Sequence, residues 1–193
     1  FDSASEQWTA RYVHETIALA FSVTEEAVED NLYDTLSKRY TAALARSMAY
    51  TKQVKAANVL NNGFSSSYVG GDGKALMTTD HPTLEAGDLS NEPATAADLS
   101  ETSLESAIIS IGGFVDDRNV PVAVNARKLI IPKDLAFTAQ RILKSDLRVG
   151  TADNDTNAMR SMNILPQGYA VNHYLTDTDA WFILTDMVNS GLK

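Results

Sequence analysis

The chain has 193 residues, 44% hydrophobic and 21% charged, and 16 Lys and Arg against 25 Asp and Glu leave a net charge of −9 at pH 7. That balance excludes a basic nucleic-acid-binding domain. The absence of cysteine excludes disulfide frameworks, thiolate metal centres and cysteine nucleophiles, and suits a reducing cytoplasm. No apolar run is longer than Ala180 to Leu184, which is far below the ~18 residues of a membrane span. The opening residues, Phe1 to Glu6, carry neither an initiator Met nor a signal-peptide pattern, so the sequence reads as a segment of a longer polypeptide.

In chain order, Tyr12 to Val23 places Ile17, Leu19, Phe21 and Val23 at alternating positions, the period of a strand. The stretch from about Thr24 to Asn61 predicts one unbroken helix. Ser22 and Glu25 stand in capping-box spacing, and Glu25, Glu26, Glu29 and Asp30 crowd the first turns, where the helix dipole favours acids. Leu32, Leu36, Tyr40, Ala43, Ser47, Thr51 and Val54 form an apolar stripe, and Asn61-Asn62-Gly63 is a left-handed stop signal. Such a helix spans about 55 Å. Its stripe holds no strict heptad, so it reads as a spine laid across a sheet rather than a coiled coil.

Gly63 to Pro82 is rich in turn residues, and the loop from Thr83 to Ala97 marks a subdomain boundary. Ser100 or Thr102 caps a helix with Leu104, Ala107, Ile108 and Ile111 on one face, ending at Gly112-Gly113. Val122 to Ile131 reads as a strand region, and Lys133 to Ser145 as a helix with Leu135, Ala139, Ile142 and Leu143 inward. Asp146 to Met162 lacks periodicity and reads as a long loop. Gly168 to Leu175 and Ala180 to Thr185 read as strands joined by a turn at Thr176 to Asp179. The whole is an α+β pattern.

The search for chemistry returns turns and solvated faces. Gly70-Gly71-Asp72-Gly73-Lys74 differs from a phosphate loop because Ala75 follows the Lys and Tyr68 stands where the first Gly belongs, so it reads as a hairpin turn. His14-Glu15 lacks the second His of a zincin helix. Asp153-Asn154-Asp155 opens like a calcium loop, but Ala158 and Ile164 replace its Gly and bidentate Glu. Asp177 and Asp179 read as turn residues. His14, His81 and His173 are far apart, with no Gly-x-Ser-x-Gly elbow beside them. Lys128, Lys133, Arg141, Lys144 and Arg148 bring positive charge without interleaved aromatics, the look of a solvated or subunit-contact face.

Three stretches, in this order after the long helix, carry a family resemblance. They are Gly70-Gly71-Asp72-Gly73-Lys74-Ala75-Leu76-Met77-Thr78-Thr79-Asp80-His81-Pro82, Lys128-Leu129-Ile130-Ile131-Pro132-Lys133-Asp134-Leu135, and Asn172-His173-Tyr174-Leu175-Thr176-Asp177-Thr178-Asp179-Ala180-Trp181-Phe182. Over most of its length the chain resembles the major capsid proteins of tailed phages, in particular the Mu-like major head subunit group. The resemblance implies the Hong Kong-type capsid fold. On that map residues 1–97 hold the return strand of the extended loop, the spine helix and part of the peripheral domain. Residues 98–170 form the axial domain, and 171–193 return to the peripheral domain.

The implied function is a non-enzymatic head subunit that self-assembles through pentamers and hexamers into an icosahedral shell around double-stranded DNA. Cofactors, metals and catalytic residues are not expected. The implied partners are other copies of the chain, scaffold, portal and decoration proteins, and packaged DNA held without sequence-specific contact, with no membrane; assembly takes place in the host bacterial cytoplasm and the product is the virion. The loop Asp146 to Arg160 is expected to be mobile and near the capsomer centre, with Arg148, Asp153, Asp155 and Arg160 as subunit-contact residues. Two alternatives stand beside this reading: an encapsulin-like compartment shell, and a small metal- or phosphate-dependent enzyme resting on Asp153, Asp155, Asp177 and Asp179.

Overall fold

The computed structural model describes residues 8, 9, 11, 13–30, 33–148 and 155–187. The long helix is divided. Helix α1 (Glu25–Glu29) starts at Thr24, whose hydroxyl accepts from the Ala27 N–H, so Thr24 and not Ser22 is the cap. It ends at Asp30, and α2 (Tyr33–Asn61) carries the remaining 29 residues; residues 31–32 lie outside the described set. The crowded acids explain the division: Glu25 with Glu29 and Glu26 with Asp30 are like charges at i,i+4, which weaken a continuous helix.

Nor does α2 lie across a sheet. Ala57 is its one buried residue, and no α2 side chain belongs to the hydrophobic core. It is held at its C-terminal half, where the Asn61 side chain donates to the Tyr174 carbonyl (3.1 Å) and accepts from the Thr176 N–H (3.1 Å), and Tyr50 meets Tyr174 edge-on at 5.7 Å. The expected strand before it has no ladder partner over residues 13–24, and Tyr12 lies outside the described residues. Alternation alone does not make a strand without a neighbouring edge. This segment runs beside α2 instead, with Phe21 5.6 Å from Tyr40 and Glu15 paired to Lys55. After α2, Gly63 is required for close approach rather than for a left-handed turn: a Cβ there would sit 3.0 Å from the Leu60 carbonyl oxygen.

The next stretch is a lobe of tight turns. Val69 bridges Ala75 around Gly73 at φ +76°, so the Gly70 to Lys74 segment is a hairpin turn. The short strands β1 (His81–Pro82) and β2 (Asp88–Leu89) pair antiparallel, and the Ala86 N–H donates to the Asp117 carbonyl (3.0 Å), joining their turn to a second small hairpin at Val115 and Pro121.

The core begins at Leu99. Helix α3 (Glu101–Gly112) is capped by Ser100 and Ser103, each accepting the other's backbone N–H at 3.1 and 2.8 Å, and it buries Leu104 and Ile111. Strand β3 (Ala126–Ile131) is shorter than expected from sequence and buries Ala126, Leu129 and Ile131. A 3₁₀ turn leads into α4 (Ala136–Lys144), which lays Ala139, Ile142 and Leu143 on the same core. The expected loop contains a helix, α5 (Ala158–Ser161), whose Met159 is buried.

Strands β4 (Tyr169–Val171) and β5 (Phe182–Thr185) do not form the expected hairpin. They flank β3 on opposite edges, β4 parallel with Leu129 opposite Tyr169, β5 antiparallel with Leu129 opposite Ile183. Residues 172–181 therefore cross from one edge of the sheet to the other, and the detour brings Tyr174 and Thr176 to the end of α2.

Core and helix respond differently to mutation. Leu104 is fully buried, so Leu104→Ala should cost about 2 to 5 kcal/mol of unfolding free energy. Ala43→Pro should cost α2 about 3 kcal/mol or more locally. Hydrogen exchange should show protection lost in α2 and retained in β3; equal loss in both would place α2 inside the cooperative core.

Candidate subunit-contact site

Arg148, Asp155 and Arg160 converge at one place, the base of the hairpin that follows α4; Asp153 lies outside the described residues. Leu147 bridges Thr156, and the Arg148 N–H donates to the Asp155 carbonyl at 2.9 Å. The described ends of the Asp146 to Arg160 stretch are thus tied together, and the middle of the expected mobile loop, residues 149–154, lies outside the described residues.

The pin is Asn157, 2% exposed and the one buried polar residue among those described. Its amide nitrogen donates to the carbonyls of Ile142 (2.6 Å) and Ser145 (3.2 Å) and to the Ser145 hydroxyl (3.1 Å), while its oxygen accepts from the Arg160 N–H (3.3 Å). A helix leaves its last carbonyls without internal partners. Here Asn157 and the Arg160 guanidinium, which reaches the Lys144 carbonyl at 2.9 Å, satisfy those of α4, and Arg160 also pairs with Asp146. A cation at this end is favoured by the dipole.

Arg148 reaches across to Glu101 in the first turn of α3, Nε to Oε2 at 3.1 Å. Both arginines therefore brace the fold while staying exposed, as do Leu147, Asp155 and Thr156 beside them. Beside it Leu143, Lys144, Met159, Arg160 and Asn163 line a depression of 400 Å³.

Two polar assemblies were not legible as sites, and a third, Asp177 with Asp179, was weighed in the sequence and read as a turn. In the turn lobe His81 Nδ1 lies 2.6 Å from Asp72, with its buried Nε2 unpartnered, and Asp80 takes both Lys74 and the Thr78 hydroxyl. Burial pushes the Asp72 carboxyl up, but hydrogen bonds from His81 and the Lys74 N–H more than offset it and hold the group below its ordinary range. The bond to Asp80 raises Lys74 and lowers Asp80. Phe64, Val69, Ala75 and Met77 floor a groove of 420 Å³ beside this network.

At the far end of the sheet, Asp186 accepts from the Asn125 N–H (2.8 Å), the Asn125 amide (3.1 Å) and Arg127 (2.9 Å), and is held low in that order of cause. Asp177 and Asp179 share a hydrogen bond that lowers the first and raises the second. Among the described residues no group of three or more acidic or His side chains is arranged to hold a metal ion, and no helix is long and apolar enough to cross a membrane.

Two outcomes follow. Asn157→Ala leaves the α4 carbonyls unsatisfied and should cost about 1 to 3 kcal/mol by chemical denaturation, with Asn157→Asp worse because it sets a carboxylate against three oxygens. Asp186 is stabilised as the anion in the folded chain, so its contribution is complete above the unfolded carboxylate value of about 3.9 and is lost as pH falls through the lower folded value. The melting temperature should drop on acidification below about pH 4, less steeply in Asp186→Asn; identical slopes would refute the Asp186 assignment.

The family model described as "Phage capsid protein" matches residues 8–191. No significant match was found among curated proteins or among solved structures. With nearly its whole length matched, the chain belongs to the phage capsid protein family and has a structural role in the virion.

Proposed function

We propose that the chain is the major head subunit of a tailed phage, of the Mu-like group and the Hong Kong-type fold, assembling through pentamers and hexamers into an icosahedral shell around double-stranded DNA. The family match carries this reading. The long helix supports it: a 29-residue element that buries only Ala57 leaves surface a monomer has no use for, whereas a shell subunit covers such faces with copies of itself. Net charge of −9 fits a wall that encloses DNA without binding it tightly, since phosphate affinity rises with the number of cations presented.

On this reading residues 1–97 serve the peripheral domain, 98–170 the axial domain, and 171–193 the return segment, whose Tyr174 and Thr176 reach back to α2. Arg148, Asp153, Asp155 and Arg160 then serve as subunit-contact residues near the capsomer centre, Asp153 lying outside the described residues. Scaffold, portal and decoration proteins are the further partners, and assembly takes place in the host bacterial cytoplasm.

The test is negative-stain electron microscopy with mass photometry on the full-length protein, alone and with scaffold supplied. Closed shells, or rings of five and six subunits, are expected. A monomer or dimer that stays small at high concentration with scaffold present would contradict the proposal, and shells filled with a protein cargo would favour the encapsulin-like alternative.

A further inference from the structure

The chain's charge is segregated by element. Helix α2 carries five Lys and Arg against Asp34 alone, while residues 62–120 carry ten Asp and Glu against Lys74 and Arg118. Within α2, Lys38 is paired to Asp34 and Lys55 to Glu15, whereas Arg39 and Arg46 have no ion-pair partner among the described residues. Seven residues apart, these two arginines lie on one face, about 10 Å from each other. That face, Arg39, Ala42, Arg46 and Ala49, is exposed throughout and lies opposite the half-buried Leu44, Met48 and Thr51. It is basic and exposed.

The acidic counterpart is built by the contact between two turns. The Ala86 N–H bonded to the Asp117 carbonyl sets Glu85 and Asp88 beside Asp117, with the exposed apolar side chains of Leu84 (57%) and Val120 (53%) on the same two turns. Glu85 and Asp88 are exposed and make no ion pair among the described residues.

We propose that the α2 face of one copy docks on this acidic edge of a second copy, Arg39 and Arg46 meeting Glu85, Asp88 and Asp117 while Ala42 and Ala49 pack against Leu84 and Val120. This rests on the shell-subunit reading and names a surface for it. The two patches are different parts of the chain, so the contact is head-to-tail and propagates from copy to copy. Charge complementarity selects a second copy over nucleic acid: the same chain presents both signs, each paired with apolar surface that a phosphate backbone does not match.

The test is a charge swap in the full chain, with circular dichroism and melting confirming the fold. Arg39→Glu with Arg46→Glu, and separately Glu85→Lys with Asp88→Lys, should each raise the concentration needed for assembly about tenfold or more, and the chain carrying all four changes should recover. Folded double variants that assemble like the unmodified chain, or a quadruple variant no better than either double, would overturn the docking. Arginine variants that assemble normally but retain less nucleic acid would overturn it in favour of a DNA-facing helix. An unmodified chain that forms no shells sinks the shell reading instead; the docking then stands or falls on whether head-to-tail association in sedimentation velocity follows the same swap.

Discussion

Strand β3 is paired on both edges, and that single constraint organises the rest of the fold. A strand with neighbours on either side has no spare backbone groups and little access to water, so it must be apolar where it is covered. Leu129 and Ile131 are fully buried, and each contributes roughly 1.5 to 3 kcal/mol by leaving water. Exposed ion pairs such as Arg148 with Glu101 contribute about 0 to 1 kcal/mol. The difference decides what holds this region: apolar burial by α3, α4, Met159 and Leu165 against β3, with polar groups fixing the ends. Asn157 ties the hairpin to α4, and Asp186 ties the last described strand to the start of β3. Both act where the backbone leaves the regular ladder and its groups would otherwise lack partners.

Outside that core the energetics change character. Helix α2 is kept in place by a few contacts at its C-terminal half and by the extended segment beside it, and it leaves Tyr33, Tyr40 and Val59 substantially exposed. Average burial is too low for the helix to draw much stability from its own chain. On the proposed shell reading, an element that is poorly supported in one subunit gains its support on assembly. The separation of basic α2 from the acidic stretch behind it would give such contacts a direction.

Local signals were legible in the sequence wherever the physics is local. The Ser100 cap, the Gly113 stop, the apolar face of α4 and the Gly73 turn all follow from residues within four positions of one another. The buried stripe Leu104 and Ile111 was likewise readable from period. What escaped depends on distant partners. Alternation in residues 12–23 resembles a strand, yet among the described residues no strand pairs with it. The Asp177 to Asp179 segment looks like a hairpin turn, but β3 interposes itself between the two strands. Asn157, an ordinary loop residue by composition, becomes the pin of the hairpin only because α4 ends thirteen residues earlier at the same point in space. The break near Asp30 was the exception, since the like charges that divide the helix were in plain view and were read only as favourable to its dipole.

On the proposed reading, this subunit has a self-sufficient core around β3 and a long helix completed by neighbouring copies. Hydrogen–deuterium exchange on dissociated subunits and on assembled particles tests it directly. The account predicts slow exchange of β3 in both states and a large gain in protection across Tyr33 to Asn61 on assembly. Equal protection of that helix in the free subunit and in the particle would contradict it.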